Sequence, residues 1–251
     1  MSLETRLSAL ITAIGADIKA LQAASGGSSD PFWTGHRKKM ELFEDFMGGG
    51  TPQLVLFNSG TGTSATVLTS SPPDDNCAGV VTLNTGIDSV GKAAVRSQAD
   101  QLSLGKGKAY FSAKVYMSAL DDASNRFGAR VGFGDSDWGD MVDGVYFEAI
   151  STTSGFWRCV TSASSTRTAV VTTVALAAAT WYHLGIEINA DGTEAKFYID
   201  GVLVATMTTN IPTASYQRTG FGAWIVKTVG STARLLYVDY VGAKIERTTM
   251  R

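Results

Sequence analysis

Residues 181–204 read WYHLGIEINADGTEAKFYIDGVLV, and this stretch decides the fold. In its first half Tyr182, Leu184, Ile186 and Ile188 occupy alternate positions. In its second half Ala195, Phe197 and Ile199 do the same. Period two is the mark of a strand with one buried face. Asp191-Gly192 and Asp200-Gly201 punctuate the runs. Both pairs suit the positive-φ backbone of a tight turn. The stretch therefore predicts successive antiparallel strands, with Trp181 opening the first as a buried residue.

The same period recurs on either side. Residues 110–117 read YFSAKVYM, with Phe111, Ala113, Val115 and Met117 on one face. Further short runs fall at 53–58, 64–69, 78–84, 127–134, 144–150, 156–161, 167–174, 202–208, 220–227 and 233–246. About thirteen strands result, with no helical pattern between them. Such a series predicts a sandwich or a barrel, here one domain over residues 41–251. The abundance of Thr, Ser and Gly agrees with strands and turns.

The W-Y-H opener, the alternating strand, the turn and the return strand ending F-Y-I-D-G resemble the concanavalin-like (laminin G-like) jelly-roll family. The resemblance implies an antiparallel jelly-roll β-sandwich. Lectins, glycosidases and adhesion modules share that fold, so the fold alone does not name a function.

Upstream of residue 25 the pattern changes. Leu3, Leu7, Leu10, Ile14, Ile18 and Leu21 repeat after eleven residues, Leu3 matching Ile14, Leu7 Ile18 and Leu10 Leu21. Three positions per eleven give a period of about 3.67, that of a straight or weakly right-handed helical bundle. Ser2 is placed as its N-cap and Glu4 in its first turn. A helix over residues 1–24 would be about 33 Å long and marginal alone in water. Its apolar stripe needs burial, against the body of the chain or against other copies. Residues 25–40 begin with the flexible run Ser25-Gly26-Gly27-Ser28-Ser29-Asp30-Pro31, which favours assembly over tight packing on the body. Phe32-Trp33 then form a neck.

This layout resembles bacteriophage virion fibres and tail spikes, in which a short N-terminal bundle attaches to the particle and a β-rich domain faces outward. Leu42-Phe43-Glu44-Asp45-Phe46 and Tyr237-Val238-Asp239-Tyr240-Val241 are similar to the first and last strands of such modules. The resemblance implies a homotrimer, contacts to other virion proteins through the N-terminal helix, and a virion location after assembly in the host cytoplasm.

Charge narrows the partners. The 251 residues carry 21 Lys+Arg and 23 Asp+Glu, a net charge of -2. No basic run exceeds Arg37-Lys38-Lys39, so phosphate neutralisation on nucleic acid is not expected. No apolar run reaches the ~20 residues of a membrane helix. Glu4, Arg6, Asp17 and Lys19 interrupt the N-terminal segment, so no signal peptide is expected. Cys77 and Cys159 read as two isolated buried thiols rather than a bridge.

The chemistry looks sparse. A retaining glycosidase needs two carboxylates about 5–5.5 Å apart, yet no E-x-D-x-E or E-x-D-x-x-E occurs. Glu148, Glu187 and Glu246 each stand alone on their strands, and Glu41, Glu44 and Asp45 lack the spacing. His36 and His183 are the two histidines, too few for a triad or a zinc site, and His183 sits within a strand opener. No enzyme is predicted.

The richest polar segment is Asp135-Ser136-Asp137-Trp138-Gly139-Asp140-Met141-Val142-Asp143-Gly144. Asp135, Asp137 and Asp140 are candidate ligands for Ca²⁺, which takes about 6–8 oxygens. The EF-hand pattern fails because the twelfth position is Tyr146. An ordinary Asp-rich turn is the alternative. Trp138 with Asp143 offers a ring and an acceptor to a sugar, or equally to a neighbouring subunit. Asp121-Asp122 with Asn125-Arg126 is a second polar loop. Trp157, Trp181 and Trp224 read as core. Arg158, opposite Trp157 on its strand, pairs with a carboxylate or lines a groove. The expected role is a tail or head fibre that attaches to a host-surface glycan. The alternatives are a capsid decoration protein without a ligand and a polysaccharide hydrolase.

Overall fold

The computed structural model describes residues 38–47, 52–68, 77, 79–98, 101–135 and 139–248. The stripe Leu3, Leu7, Leu10, Ile14, Ile18, Leu21 and the linker to residue 37 lie outside them, as do Asp137 and Trp138. Residues 41–249 make up one compact unit.

Fifteen strands are described: β1 Lys39–Glu44, β2 Val55–Ser59, β3 Ser64–Val67, β4 Val81–Asn84, β5 Lys92–Arg96, β6 Gly107–Met117, β7 Phe127–Gly134, β8 Gly144–Ala149, β9 Phe156–Ala163, β10 Thr166–Ala175, β11 Trp181–Ile188, β12 Ala195–Ile199, β13 Val202–Met207, β14 Gly220–Lys227 and β15 Leu235–Arg247. They form two antiparallel sheets packed as a sandwich. Sheet I runs β13-β12-β11-β6-β15-β4-β3, with β1 beside β15. Sheet II runs β10-β9-β8-β7-β14-β5-β2.

The stretch 181–204 lies in sheet I. Leu184 pairs with Ile199 and Ile186 with Phe197 across β11 and β12, while Ile186 faces Phe111 across β11 and β6. The Asp200-Gly201 turn has φ of 50° and 78°, the left-handed pair a tight hairpin requires. Asp200 also accepts the His183 N–H through Oδ1 at 2.9 Å, which ties the turn to β11.

Between the sheets, inward rings meet edge to face. Phe111 meets Phe133 at 5.8 Å, Phe147 meets Phe197 at 5.2 Å, and Trp157 meets Tyr182 at 5.3 Å. Each such buried side chain contributes roughly 1.5–3 kcal/mol from its removal from water. The polar tip of Tyr182 is satisfied. Its hydroxyl donates to the Ala175 carbonyl at 3.0 Å and accepts the Ala177 N–H at 2.9 Å.

Sheet II departs from a simple sandwich because its outer face is covered too. Residues of β7, β8 and β14 are buried at every position. The β7–β8 connection folds over this face and seats Met141. Tyr146, Val160, Ala94 and Trp224 form a buried cluster with Met141, and Phe57 packs against it. Ser162 Oγ holds the connection by donating to the carbonyls of Met141 at 2.8 Å and Val142 at 2.9 Å. Gly134 makes the socket: a Cβ there would lie 2.7 Å from Met141 Sδ.

Three expectations are corrected. Trp181 is half-buried, not core. The inward phase of β11 belongs to Tyr182 and Leu184, so Trp181 points outward. A one-turn helix, α1 Ser151–Ser154, lies between β8 and β9. Strand β5 is an addition to the expected series. Its sequence KAAVR has little alternation because the strand is buried on both phases from Lys92 to Val95. Trp224 is core as expected, in the outer cluster of sheet II.

Cys77 and Cys159 are both buried and neither is in a disulfide. Cys159 lies on the inner face of β9. Cys77 lies outside sheet I, where Lys114 Nζ stands 3.5 Å from its sulfur.

Candidate ligand-binding site

The outward phase of β6 is Tyr110, Ser112, Lys114 and Tyr116, all half-buried. Register places these residues beside the outward phases of β11 and β15. Trp181 and Tyr237 flank Tyr116, with ring centroids at 5.2 Å and 5.5 Å. Lys114 Nζ lies over the Trp181 ring at 4.9 Å, a cation–π contact, and pairs with Asp239 at 3.1 Å. Burial works against the Lys114 charge, but the Asp239 carboxylate outweighs it and lifts the ammonium pKa.

A β-bulge makes this face possible. The register of β15 on β6 shifts between Val238 and Tyr240. Asp239 is the extra residue, so Tyr237 and Tyr240 both face outward although their numbers differ in parity. Tyr240 then stacks on Phe43 at 5.3 Å and meets His183 at 5.8 Å. Ser112 Oγ lies 3.0 Å from His183 Nε2 and 3.3 Å from Tyr240 Oη.

Next to these rings runs a trough of small residues. Gly242 faces Ser112, which faces Gly185. A cavity of about 170 Å³ opens here, walled by Phe43 and Tyr110 with Lys244 and Glu41 at its edge. Phe43 is 56% exposed, an unusual position for a large apolar ring. A Cβ at Gly242 would lie 3.0 Å from Phe43 Cδ2, so the glycine admits that ring. Rings that present flat apolar faces, beside hydroxyl, imidazole and ammonium groups, match the two kinds of surface a sugar offers.

The outer face of sheet II carries a charged cluster instead. Glu148 is fully buried on β8. Arg130 Nη2 approaches it at 3.3 Å, Arg158 Nη1 at 3.2 Å and Arg167 Nη2 at 3.1 Å. Arg130 also binds Asp140 at 2.7 Å, and Arg167 binds the other Asp140 oxygen. Three guanidiniums thus surround two carboxylates. The Tyr146 hydroxyl is buried nearby, has no partner among the described residues, and burial pushes its pKa up to about 12.

The acidic loop residues are placed apart by function. Asp135 accepts the N–H groups of Val142 at 3.0 Å and Asp143 at 3.1 Å, folding the loop on itself. Burial, together with the Asp143 charge, pushes its carboxyl above the usual range against the pull of those N–H groups. Asp143 accepts the Ser164 N–H at 2.8 Å. Asp140 is committed to its two arginines. Among the described residues no cluster of three His, Cys, Asp or Glu side chains is placed to hold a metal. In the second polar loop, Asp122 caps the N–H groups of Ser124 and Asn125 at 2.8 Å and binds Arg234 at 2.6 Å.

Reading the sequence missed Tyr110, Ser112, Tyr116, Tyr240 and Phe43. The signal for the β6 residues was present, since they are the positions skipped by Phe111, Ala113, Val115 and Met117.

Burial alone would raise the Asp140 carboxyl, but the Arg130 and Arg167 charges outweigh it and hold it below the usual range. A depressed folded-state pKa contributes stability that is present above the unfolded value and lost as pH falls through the folded one. Asp140→Asn should therefore lower stability at neutral pH. The gap to the unsubstituted protein should close below about pH 4. Urea unfolding at several pH values measures this, and a gap constant with pH would contradict the ion pairing.

Residues 76–239, more than half of the chain, match the family described as SO2946-like, C-terminal domain. Among solved structures, the chain is similar to the protein of unknown function SO2946 from Shewanella oneidensis MR-1, with TM-score 0.62 and 15% identity over 85% of this chain and 89% of that one. Peanut lectin, solved with a nonapeptide, gives TM-score 0.57 and 11% identity over 84% and 99%. The binding domain of botulinum neurotoxin DC, in complex with rat synaptotagmin II, gives 0.53 and 9% over 83% and 49%. At these identities the likeness shows the fold, a sandwich of two antiparallel sheets, and nothing finer. No curated protein matches the chain.

Proposed function

The chain belongs to this family of SO2946-like C-terminal domains, and we propose that its sandwich is a non-catalytic carbohydrate-binding module that attaches a virion to a host-surface glycan. The observation that carries the reading is the outer groove of sheet I. There Phe43 and Tyr110 wall a small-residue trough, and Trp181, Tyr116 and Tyr240 extend the ring surface beside it. Apolar rings held half-open next to polar side chains are costly to leave in water and useful against a sugar ring.

Two features favour binding over hydrolysis. A general acid needs a carboxyl whose pKa lies near the working pH, whereas Asp140 is held low by two arginines. Glu148 has guanidiniums on both oxygens and no solvent access. The virion placement rests on the eleven-residue repeat of the N-terminal segment and on the Gly/Ser-rich run that follows it in the sequence, which suit a trimeric anchor.

The test is a glycan array with the full-length chain, followed by titration of the hits. Tyr110→Ala and Trp181→Ala should each weaken binding about tenfold or more, ~1.4 kcal/mol, while leaving the fold intact. Particles carrying a chain without residues 41–251 should lose adsorption to their host. Glycan binding indifferent to both substitutions would remove sheet I as the site. Full adsorption by the truncated particles would remove the attachment role and favour a capsid decoration protein.

A further inference from the structure

The second sheet carries a separate site. A cleft of about 240 Å³ opens on its outer face where β7 begins and β14 ends, lined also by Thr152 and Thr153 of α1 and by Gly139. Arg126 and Arg130 both line it, with Thr153, Thr228 and Ile150. No carboxylate is among its lining residues.

Arg130 is the decisive group. Its side chain is only 7% exposed. One terminal nitrogen, Nη2, is spent on Asp140 and Glu148. Its Nε is buried with no partner among the described residues. Its Nη1 lies over Gly128, where a Cβ would stand 3.6 Å from it. Glycine at 128 therefore leaves the Nη1 end of the guanidinium open toward the cleft. Nη1 has no hydrogen-bond partner among the described residues, so it can donate to an acceptor in the cleft. Arg126 at the mouth is exposed and has no carboxylate partner among the described residues.

We propose that this cleft binds an oxyanion, either the carboxylate of an acidic sugar or a phosphate group. Arg126, exposed, can turn a forked pair of N–H donors to such a group, and Arg130, fixed by its two carboxylates, adds its Nη1. The volume lies below the ~300–1,000 Å³ of drug-sized pockets, so it suits one small group rather than a chain. Ile150 and Val226 give one apolar wall, and the threonines one polar wall.

The experiment titrates the full-length chain with glucuronate, inorganic phosphate and, as a neutral control, glucose, following chemical shifts or heat. An anion should bind at about millimolar Kd and weaken with added salt. Glucuronate tighter than phosphate identifies an acidic sugar as the source, and the reverse identifies a phosphate. Arg126→Glu, at an exposed position that the fold does not need, should weaken binding at least tenfold. Gly128→Val, checked for folding by its spectrum, should block it by filling the floor. The proposal is overturned if neither anion binds at about 50 mM, or if binding survives both substitutions. It is also overturned if Tyr110→Ala abolishes the anion signal, since the anion would then sit near Lys244 on sheet I. Loss of this site leaves the sheet I groove and its own test unaffected.

Discussion

Replacing Glu148 with Gln should destabilise the domain by about 3–5 kcal/mol, because it strands buried positive charge. Glu148 meets Arg130, Arg158 and Arg167 within 3.3 Å, and its side chain is 1% exposed. A surface ion pair is worth only about 0–1 kcal/mol, so the expected size depends on burial rather than on how many arginines take part. With the carboxylate gone, Asp140 alone faces Arg130 and Arg167, and Arg158 loses its one ion pair among the described residues. The diagnostic step is a double substitution. Adding Arg158→Met to Glu148→Gln removes one uncompensated charge and should recover part of the loss. Chemical denaturation of the two single variants and the double variant measures the coupling. A loss under about 1 kcal/mol for Glu148→Gln would mean that the cluster is solvated rather than buried.

The second large effect belongs to Trp224. On a sandwich with a wet outer face, an outward Trp is cheap to truncate. Here it is 2% exposed, flanked in register by Arg130 on β7 and Ala94 on β5, and covered from the Met141 side. Trp224→Ala should therefore cost about 3–5 kcal/mol, as for a core Trp. Met141→Ala should cost about 2–5 kcal/mol for the same reason. The two losses should not add, because each removes the other's packing partner. Additive losses would show that the β7–β8 connection does not rest on Trp224.

These two residues also show how far the sequence can be read. The β11–β12 hairpin is plain, because one face of each strand meets the core and the other meets solvent, which imposes period two. That signal fails wherever both faces are covered. Residues 127–134, 144–149 and 220–227 are largely apolar or glycine on both phases, so the sequence yields their strands but not their outer face. Glu148 looks solitary along the chain, since its partners lie on β7, β9 and β10. Antiparallel register, not sequence spacing, brings them together. Arg158 reads from the sequence as either paired or groove-lining, and the structure pairs it. The sheet I groove is hidden differently. Half of it depends on the bulge at Asp239, which reverses the phase of β15, and one residue of slip turns every later side chain to the other face. The acidic loop stands out by composition, yet Asp135, Asp140 and Asp143 spend their oxygens on backbone N–H groups and arginines.

The two sulfurs carry a last consequence. Sheet I stands between Cys77, beside Lys114 on its outer side, and Cys159, on the inner face of the opposite sheet. They cannot be joined while the sandwich is intact. Burial also pushes the Cys159 thiol pKa up, which starves it of the reactive thiolate. The redox poise of the surroundings therefore drops out of this domain's folding. The sandwich can be completed among reducing thiols and keep the same shape in an oxidising medium, with no cross-link to form on the way.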